Sequence, residues 1–285
     1  MNEKTWTWPR PPPWSFAAAL VFAMALPATA GEAETPFKLD MPLRCVAGET
    51  CWIVNYVDID PTPGRRDYRC GWLSYDGHKG TDFAIRDLPT MRRGVAVMAA
   101  AGGRVMGLRD GMEDVNVKKI GGPEALKGKD CGNGVLIKHP GGWSSQYCHM
   151  RKGSIAVSKG DAVTTGQRLG LVGLSGRTEF PHLHITVRKD GKVVDPFIGL
   201  HRAERCSLGD DPLWKAEILA KLDYRSVHLS NAGFAAAKPI TESVRNGLYR
   251  QKTISRLSPT LFLWVDIFWP RPGESDPVSL DTELS

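Results

Sequence analysis

Four of the seven histidines, His78, His149, His182 and His184, fall into a pattern that could do chemistry. In Pro181-His182-Leu183-His184-Ile185-Thr186-Val187 the β-branched context predicts a strand, where residues two apart share a face. Two imidazoles then stand side by side on one side of a sheet. In Gly77-His78-Lys79-Gly80-Thr81-Asp82, Gly80 and Thr81 disfavour a helix, so His78 sits on a loop entering a strand that starts near Asp82. A carboxylate at the head of an apolar strand faces a desolvation cost unless it is paired or metal-bound. Tyr147-Cys148-His149-Met150 places the fourth histidine at the end of another strand. Each motif alone is a weak signal; their combination is not. Two neutral imidazoles and one carboxylate, with water in the fourth position, make the open tetrahedral zinc site of a hydrolase, and His78, Asp82 and His184 meet that requirement. Magnesium or calcium would want mostly oxygen ligands, and a structural zinc four protein ligands. His149 and His182 are then free to hold the attacking water and the developing oxyanion. No His-Glu-x-x-His supplies a glutamate base, so proton transfer falls to histidine. We expect His182 to take the water proton and His149 to donate to the oxyanion, roles that could equally be exchanged.

The elements around these residues are short. Residues 135–139, 144–149, 168–172, 182–188 and 193–195 read as strands bounded by Gly, Pro or Asp, with hairpin turns at Pro140-Gly141-Gly142 and Asp190-Gly191. No long helical period interrupts them. The expected fold is mainly β, a twisted antiparallel sheet with Gly-rich hairpins. Residues 31–66, with Pro36, Pro42, Pro61 and Pro63, read as an extended N-terminal segment, and residues 67–206 as the domain carrying the histidines. Residues 207–285 read as a small C-terminal β module, with strands at 224–229, 248–254 and 261–268 after an irregular or helical stretch at 213–222.

The combination of His-x3-Asp, a lone His after Tyr-x, and Pro-His-Leu-His resembles the lysostaphin-like (LytM-type) zinc metalloendopeptidases that cut peptidoglycan cross-links. The glycine turns in residues 158–170 and 172–176, and Val194-Asp195-Pro196, are similar to that family's barrel-sandwich-like core. The likeness covers about residues 68–200. It implies that His78, Asp82 and His184 bind zinc, that His149 and His182 are catalytic, and that peptidoglycan is the substrate. Arg177-Thr178-Glu179-Phe180 departs from the small Gly-containing turn usual before Pro-His, and Ile185-Thr186-Val187 stands where Phe-Glu is common. Both departures bear on substrate preference and leave the ligand set intact. Some lysostaphin-type domains have lost ligands and activate amidases instead, and such a non-enzymatic activator is the alternative reading. All five residues are present here. A biotinyl or lipoyl carrier, suggested by the turns around Lys159, has no use for His-x-His.

The rest of the chain sets the compartment. Across 285 residues, 37 Lys and Arg against 31 Asp and Glu leave a net charge of +6, spread without basic blocks, which argues against nucleic acid and suits an anionic polymer. Lys4 and Arg10 precede an apolar run at 16–26 and Ala28-Thr29-Ala30, the pattern of a secretory signal peptide over residues 1–30. That run is shorter than the ~20 residues of a membrane helix, so the expectation is cleavage, with no stable membrane span and residence in the periplasm or cell envelope. The six cysteines suit disulfides in an exported protein. A hairpin turning at 140–142 sets Cys131 nearly opposite Cys148; Cys45 and Cys51 would close a short loop, leaving Cys70 for Cys206. A regulator restraining such an activity is a further partner that the sequence does not identify.

Overall fold

The computed structural model describes residues 36–202, 204–249 and 253–268 in full and 278–284 as backbone. The expected leader, residues 1–30, lies outside the described residues, and no helix among these is long and apolar enough to cross a membrane. Short β-branched runs punctuated by glycine and proline give short strands. In chain order these elements are β1 (Cys51–Asn55), β2 (Thr81–Ile85), helix α1 (Leu88–Arg93), β3 (Ala96–Met98), β4 (Gly103–Arg109), β5 (Asn133–Lys138) and β6 (Trp143–Met150). There follow β7 (Ala162–Val163), β8 (Arg168–Leu171), β9 (His182–Lys189) and β10 (Lys192–Val193). The C-terminal part adds α2 (Ala216–Leu219), β11 (His228–Ala235), α3 (Thr241–Arg245), β12 (Leu261–Phe268) and β13 (Val278–Leu284).

The fold is mainly β. One antiparallel sheet runs in the order β1-β2-β9-β6-β5-β4-β7, with β10 hairpinned onto β9; β3 and β8 pair separately, and β11-β12-β13 form a third sheet. The pleat sorts the central strands into two faces. Phe83 and Ile85 of β2, Leu183, Ile185 and Val187 of β9, and Val135 and Ile137 of β5 enter one core with Leu39, Val97, Leu169 and Trp214. Truncating a ring as fully enclosed as Phe83 to alanine costs about 3–5 kcal/mol. The alternate residues Asp82, Ala84, His182 and His184 lie on the opposite face, and the β2–β9 register sets Asp82 across from His184 and Ala84 across from His182.

Two departures from regular pairing shape that outer face. Strand β1 belongs to the main sheet, so the stretch read as an extended segment supplies its edge; a bulge between Ile53 and Asn55 brings Asn55 opposite Asp82. In β6, Asn133 pairs with Met150 but Val135 with Tyr147, so β6 carries one extra residue against β5. Cys148 and His149 together stand opposite Gly134, with His149 at φ +61. Cys131 and Cys148 are disulfide-bonded beside this bulge, Cys45 is bonded to Cys51, and Cys70 to Cys206.

The expected strand at 248–254 is corrected: none of its described residues, 248–249 and 253–254, lies in a strand. Leu248 and Tyr249 lie in a turn after α3, with Leu248 N–H donating back to the Ser243 carbonyl, and residues 250–252 lie outside the described residues. The strand expected at 224–229 begins only at His228, because Tyr224 is drawn inward to donate its hydroxyl to Asp67.

Candidate metal centre

Three side chains converge from two pieces of chain, the loop and start of β2 that carry His78 and Asp82, and the start of β9 that carries His184. His78 Nε2, Asp82 Oδ1 and His184 Nδ1 lie 3.2, 2.8 and 3.1 Å apart for the pairs His78/Asp82, His184/Asp82 and His78/His184. His78 and Asp82 are buried; His184 keeps a little exposure and is the open side of the group. Each side chain is aimed by a second contact. His78 Nδ1 donates to the Tyr56 carbonyl at 2.7 Å, so its Nε2 lone pair faces the centre. His184 Nε2 lies 2.9 Å from Thr186 Oγ1, a hydroxyl that can take its N–H and leave Nδ1 as the inward donor atom. Asn55 Nδ2 donates to Asp82 Oδ2 at 3.0 Å. Gly80 lets His184 approach: a Cβ there would fall 2.6 Å from His184 Nε2 and 2.5 Å from the Ile185 carbonyl oxygen.

The donor set fits a small divalent cation. With the outer nitrogens engaged as described, two lone pairs and a carboxylate oxygen meet within 4.8 Å of one another. Nitrogen and oxygen donors about 2.0–2.1 Å from a tetrahedral zinc stand about 3.3 Å from each other, close to the separations here. In the protein alone, burial opposes the Asp82 charge, yet His78 and His182 outweigh it and hold the carboxyl well below its usual range. Burial likewise disfavours a charge on His78, but Asp82 overrides it and raises the imidazole. Burial dominates at His184 and lowers it. This electrostatic pull of Asp82 on its neighbours is what a cation at the same point would answer.

His149 and His182 stand beside this cluster, their ring centroids 4.6 Å apart, with His149 5.9 Å from His184. The β6 bulge explains His149. Trp143, Ser145 and Tyr147 turn inward at intervals of two, a rhythm that would point residue 149 into the core; the left-handed residue breaks it, and Met150 fills the core instead. His149 Nδ1 donates to the Ser175 carbonyl at 2.8 Å, leaving Nε2 as an acceptor. Burial, then repulsion from His182 and His184, hold it well below the ordinary imidazole range, which favours the neutral ring. His182 Nδ1 donates to the Phe180 carbonyl at 3.0 Å, and its Nε2 lies 3.7 Å from Asp82 Oδ1.

All five residues singled out in the sequence thus meet at one place. Asn55, Tyr56 and Ser175, which orient three of them, carry no motif: each acts through one hydrogen bond to a position more than 20 residues away, whereas Thr186 orients His184 from two residues along the same strand. Tyr75, whose ring lies 4.4 Å from that of His78, lines the same site. His139 and His228 are buried elsewhere and His201 is exposed; His139 is held between the Gly102 carbonyl and Ser145.

Residues 76–196 match the model of peptidase family M23. Over 118 residues the chain is 32% identical to the peptidoglycan DD-endopeptidase ShyB of Vibrio cholerae, covering 41% of this chain and 22% of that protein. Over 64 residues it is 42% identical to ShyA of the same organism, also a peptidoglycan DD-endopeptidase, covering 22% and 14%. The matched stretch spans less than a quarter of either relative's length. Among solved structures, a zinc-containing peptidase from Vibrio cholerae aligns at 26% identity and a TM-score of 0.33 over 50% of this chain and 39% of that one. Residues 76–196 thus match peptidase family M23, and the three converging donor atoms and both flanking histidines lie inside the matched stretch.

Proposed function

We propose that the protein is an exported zinc metalloendopeptidase that hydrolyses amide bonds in the cross-link peptides of peptidoglycan. The observation carrying this reading is the convergence of His78 Nε2, Asp82 Oδ1 and His184 Nδ1 beside two further imidazoles. The relatives' names support peptidoglycan as the substrate class, and the paired cysteines support an oxidising compartment, the periplasm or cell envelope. His78, Asp82 and His184 would hold zinc, which when bound supplies Lewis acidity toward a carbonyl and makes water nucleophilic near neutral pH.

The two remaining histidines divide the proton work, and their surroundings support exchanging the roles first expected from the sequence. A neutral His149 whose N–H is committed to Ser175 has only a lone pair at Nε2. It cannot donate to an oxyanion, but it can accept the proton of the attacking water and return it to the leaving amine. His182 has its Nδ1–H held by the Phe180 carbonyl in the same way, so it would donate to the developing oxyanion only as the imidazolium, whose Nε2–H the Asp82 carboxylate 3.7 Å away would favour. Nothing in the site offers the paired carboxylates that glycosidic cleavage requires, so the glycan should stay intact.

The test is incubation of the purified protein with isolated peptidoglycan, with and without chelator, followed by mass spectrometry of the digests. Dimeric muropeptides should become monomers with sugars unshortened, and only in the chelator-free arm. Release of free stem peptides would make the protein an amidase. Release only after a second hydrolase is added would make it the non-enzymatic activator.

A further inference from the structure

The C-terminal sheet reaches the candidate site through one ring. Phe268, the last residue of β12, has its ring centroid 5.5 Å from that of Phe180, and Phe180 lies 4.8 Å from the His182 imidazole. Both phenylalanines pack on Trp52, Val54 and Ala84, the apolar patch that β1 and β2 present on the site's side of the sheet. The opposite flank of the 177–180 loop is held by polar contacts. Asn116 Nδ2 donates to the Glu179 carbonyl at 3.0 Å, Val117 N–H donates to the Thr178 carbonyl at 3.0 Å, and Lys118 pairs with Glu179 at 2.8 Å. Lys119, next in line, pairs with Glu242 of α3 at 2.5 Å.

These contacts meet at His182. Its Nδ1–H donates to the carbonyl of Phe180, and Thr178 Oγ1 donates to the same carbonyl at 2.7 Å while lying 3.1 Å from Nδ1. The acceptor that fixes which nitrogen of His182 carries the proton therefore belongs to the residue whose ring Phe268 covers. We infer that Phe268 is a positioning residue for the proposed reaction: by clamping Phe180 it fixes the tautomer and orientation of His182, and the C-terminal sheet is thereby part of the catalytic apparatus. The inference rests on the proposed amide hydrolysis for its kinetic arm, and stands apart from it in its spectroscopic arm.

The experiment compares the full-length wild type with Phe268→Ala and Phe268→Tyr, the second of which keeps a ring. Phe268→Ala should retain zinc and an unchanged KM for a cross-linked muropeptide while kcat falls about tenfold, inside the ~10²-fold that a misplaced reacting group can cost. Phe268→Tyr should restore kcat. In the metal-free proteins, long-range ¹⁵N–¹H spectra of the imidazoles should show His182 as one Nδ1–H tautomer in the wild type and Phe268→Tyr, and as a mixture in Phe268→Ala. A lowered Tm with wild-type kcat and a wild-type His182 spectrum would reduce the contact to packing and overturn the inference. Should Phe268→Ala fail to fold or lose zinc, Phe268→Leu, which keeps apolar bulk without a ring, is measured in its place; wild-type kcat and spectrum there would overturn the inference equally. A wild type that cuts no muropeptide would sink the proposed function, while the His182 spectrum would still decide the positioning.

Discussion

In β9 the pleat runs undisturbed from His182 to His184, whereas β6 delivers His149 to the same place only after an extra residue breaks its pairing with β5. The difference separates two kinds of requirement. His184 must share a point with Asp82 on the paired strand, and regular register does that without strain. His149 must reach over from a neighbouring strand toward His182, and a bulge at φ +61, an uncommon conformation for a non-glycine residue, is the device that turns it. Ligand placement thus rests on sheet geometry, and proton transfer on a local exception to it.

Four measurements break or sharpen that contrast. The largest effect is expected on the regular side: Asp82→Ala or His184→Ala should lose metal and activity together, read by elemental analysis and muropeptide digestion. On the bulged side, His149→Ala should keep its metal and lose about 10²- to 10⁴-fold in rate, the worth of a positioned proton acceptor. A metal-free His149→Ala protein would erase the distinction between the two strands. Next in size, Gly80→Ala presses a methyl group against His184 and the Ile185 carbonyl, and should weaken metal affinity about 10- to 100-fold, comparable to losing a residue that orients a ligand. Titration with a competing chelator would show it, and an unchanged affinity would mean that the β2–β9 register is softer than described.

The smallest effect on turnover, and a purely thermodynamic one, lies at the far end of the β9 hairpin. Burial, helped by the nearby Asp67 charge and opposed by the Phe197 N–H, pushes the Asp195 carboxyl up to about 7 from 3.8. Its Oδ2 has no hydrogen-bond partner. A raised acid pKa means that the folded state binds the extra proton. The contribution of Asp195 to stability should therefore be greatest below about pH 4, fall as pH rises toward 7 and level off above it, by up to about 4 kcal/mol at 1.36 kcal/mol per pKa unit. Asp195→Asn removes that slope, so the difference between the two proteins in urea midpoints from pH 4 to 8 isolates it. Parallel curves would show that Asp195 titrates normally.

The strand alternation of His182 and His184, and the loop entry at His78, were legible because they depend on residues adjacent in sequence. So was the Cys131/Cys148 approach, which follows from counting outward from the 140–142 turn; these cysteines are bonded in the structure. What sequence could not show depends on pairing. The bulge at His149 exists only relative to β5, and β1 was hidden because Cys51-Trp52-Ile53-Val54 is buried throughout and shows no alternation. Asn55 reaches Asp82 across 27 positions through a second bulge that leaves no compositional trace. At 248–249, aromatic and aliphatic residues suggested a strand, but the turn that closes α3 uses their backbone first.

The Cys70–Cys206 bond, whose partners are 136 positions apart, closes the polypeptide into a ring. Every one of the five residues at the candidate site lies on the ring's circumference, and so does the whole of the smaller Cys131–Cys148 loop. A linear chain cut once becomes two molecules, but a ring cut once remains one. A single peptide-bond cleavage anywhere between residues 71 and 205 would therefore leave the two halves of the site covalently joined, free to re-form by an intramolecular step rather than by a bimolecular encounter. For a protein read as working among other hydrolases outside the cytoplasm, the bond converts a lethal cut into a nick.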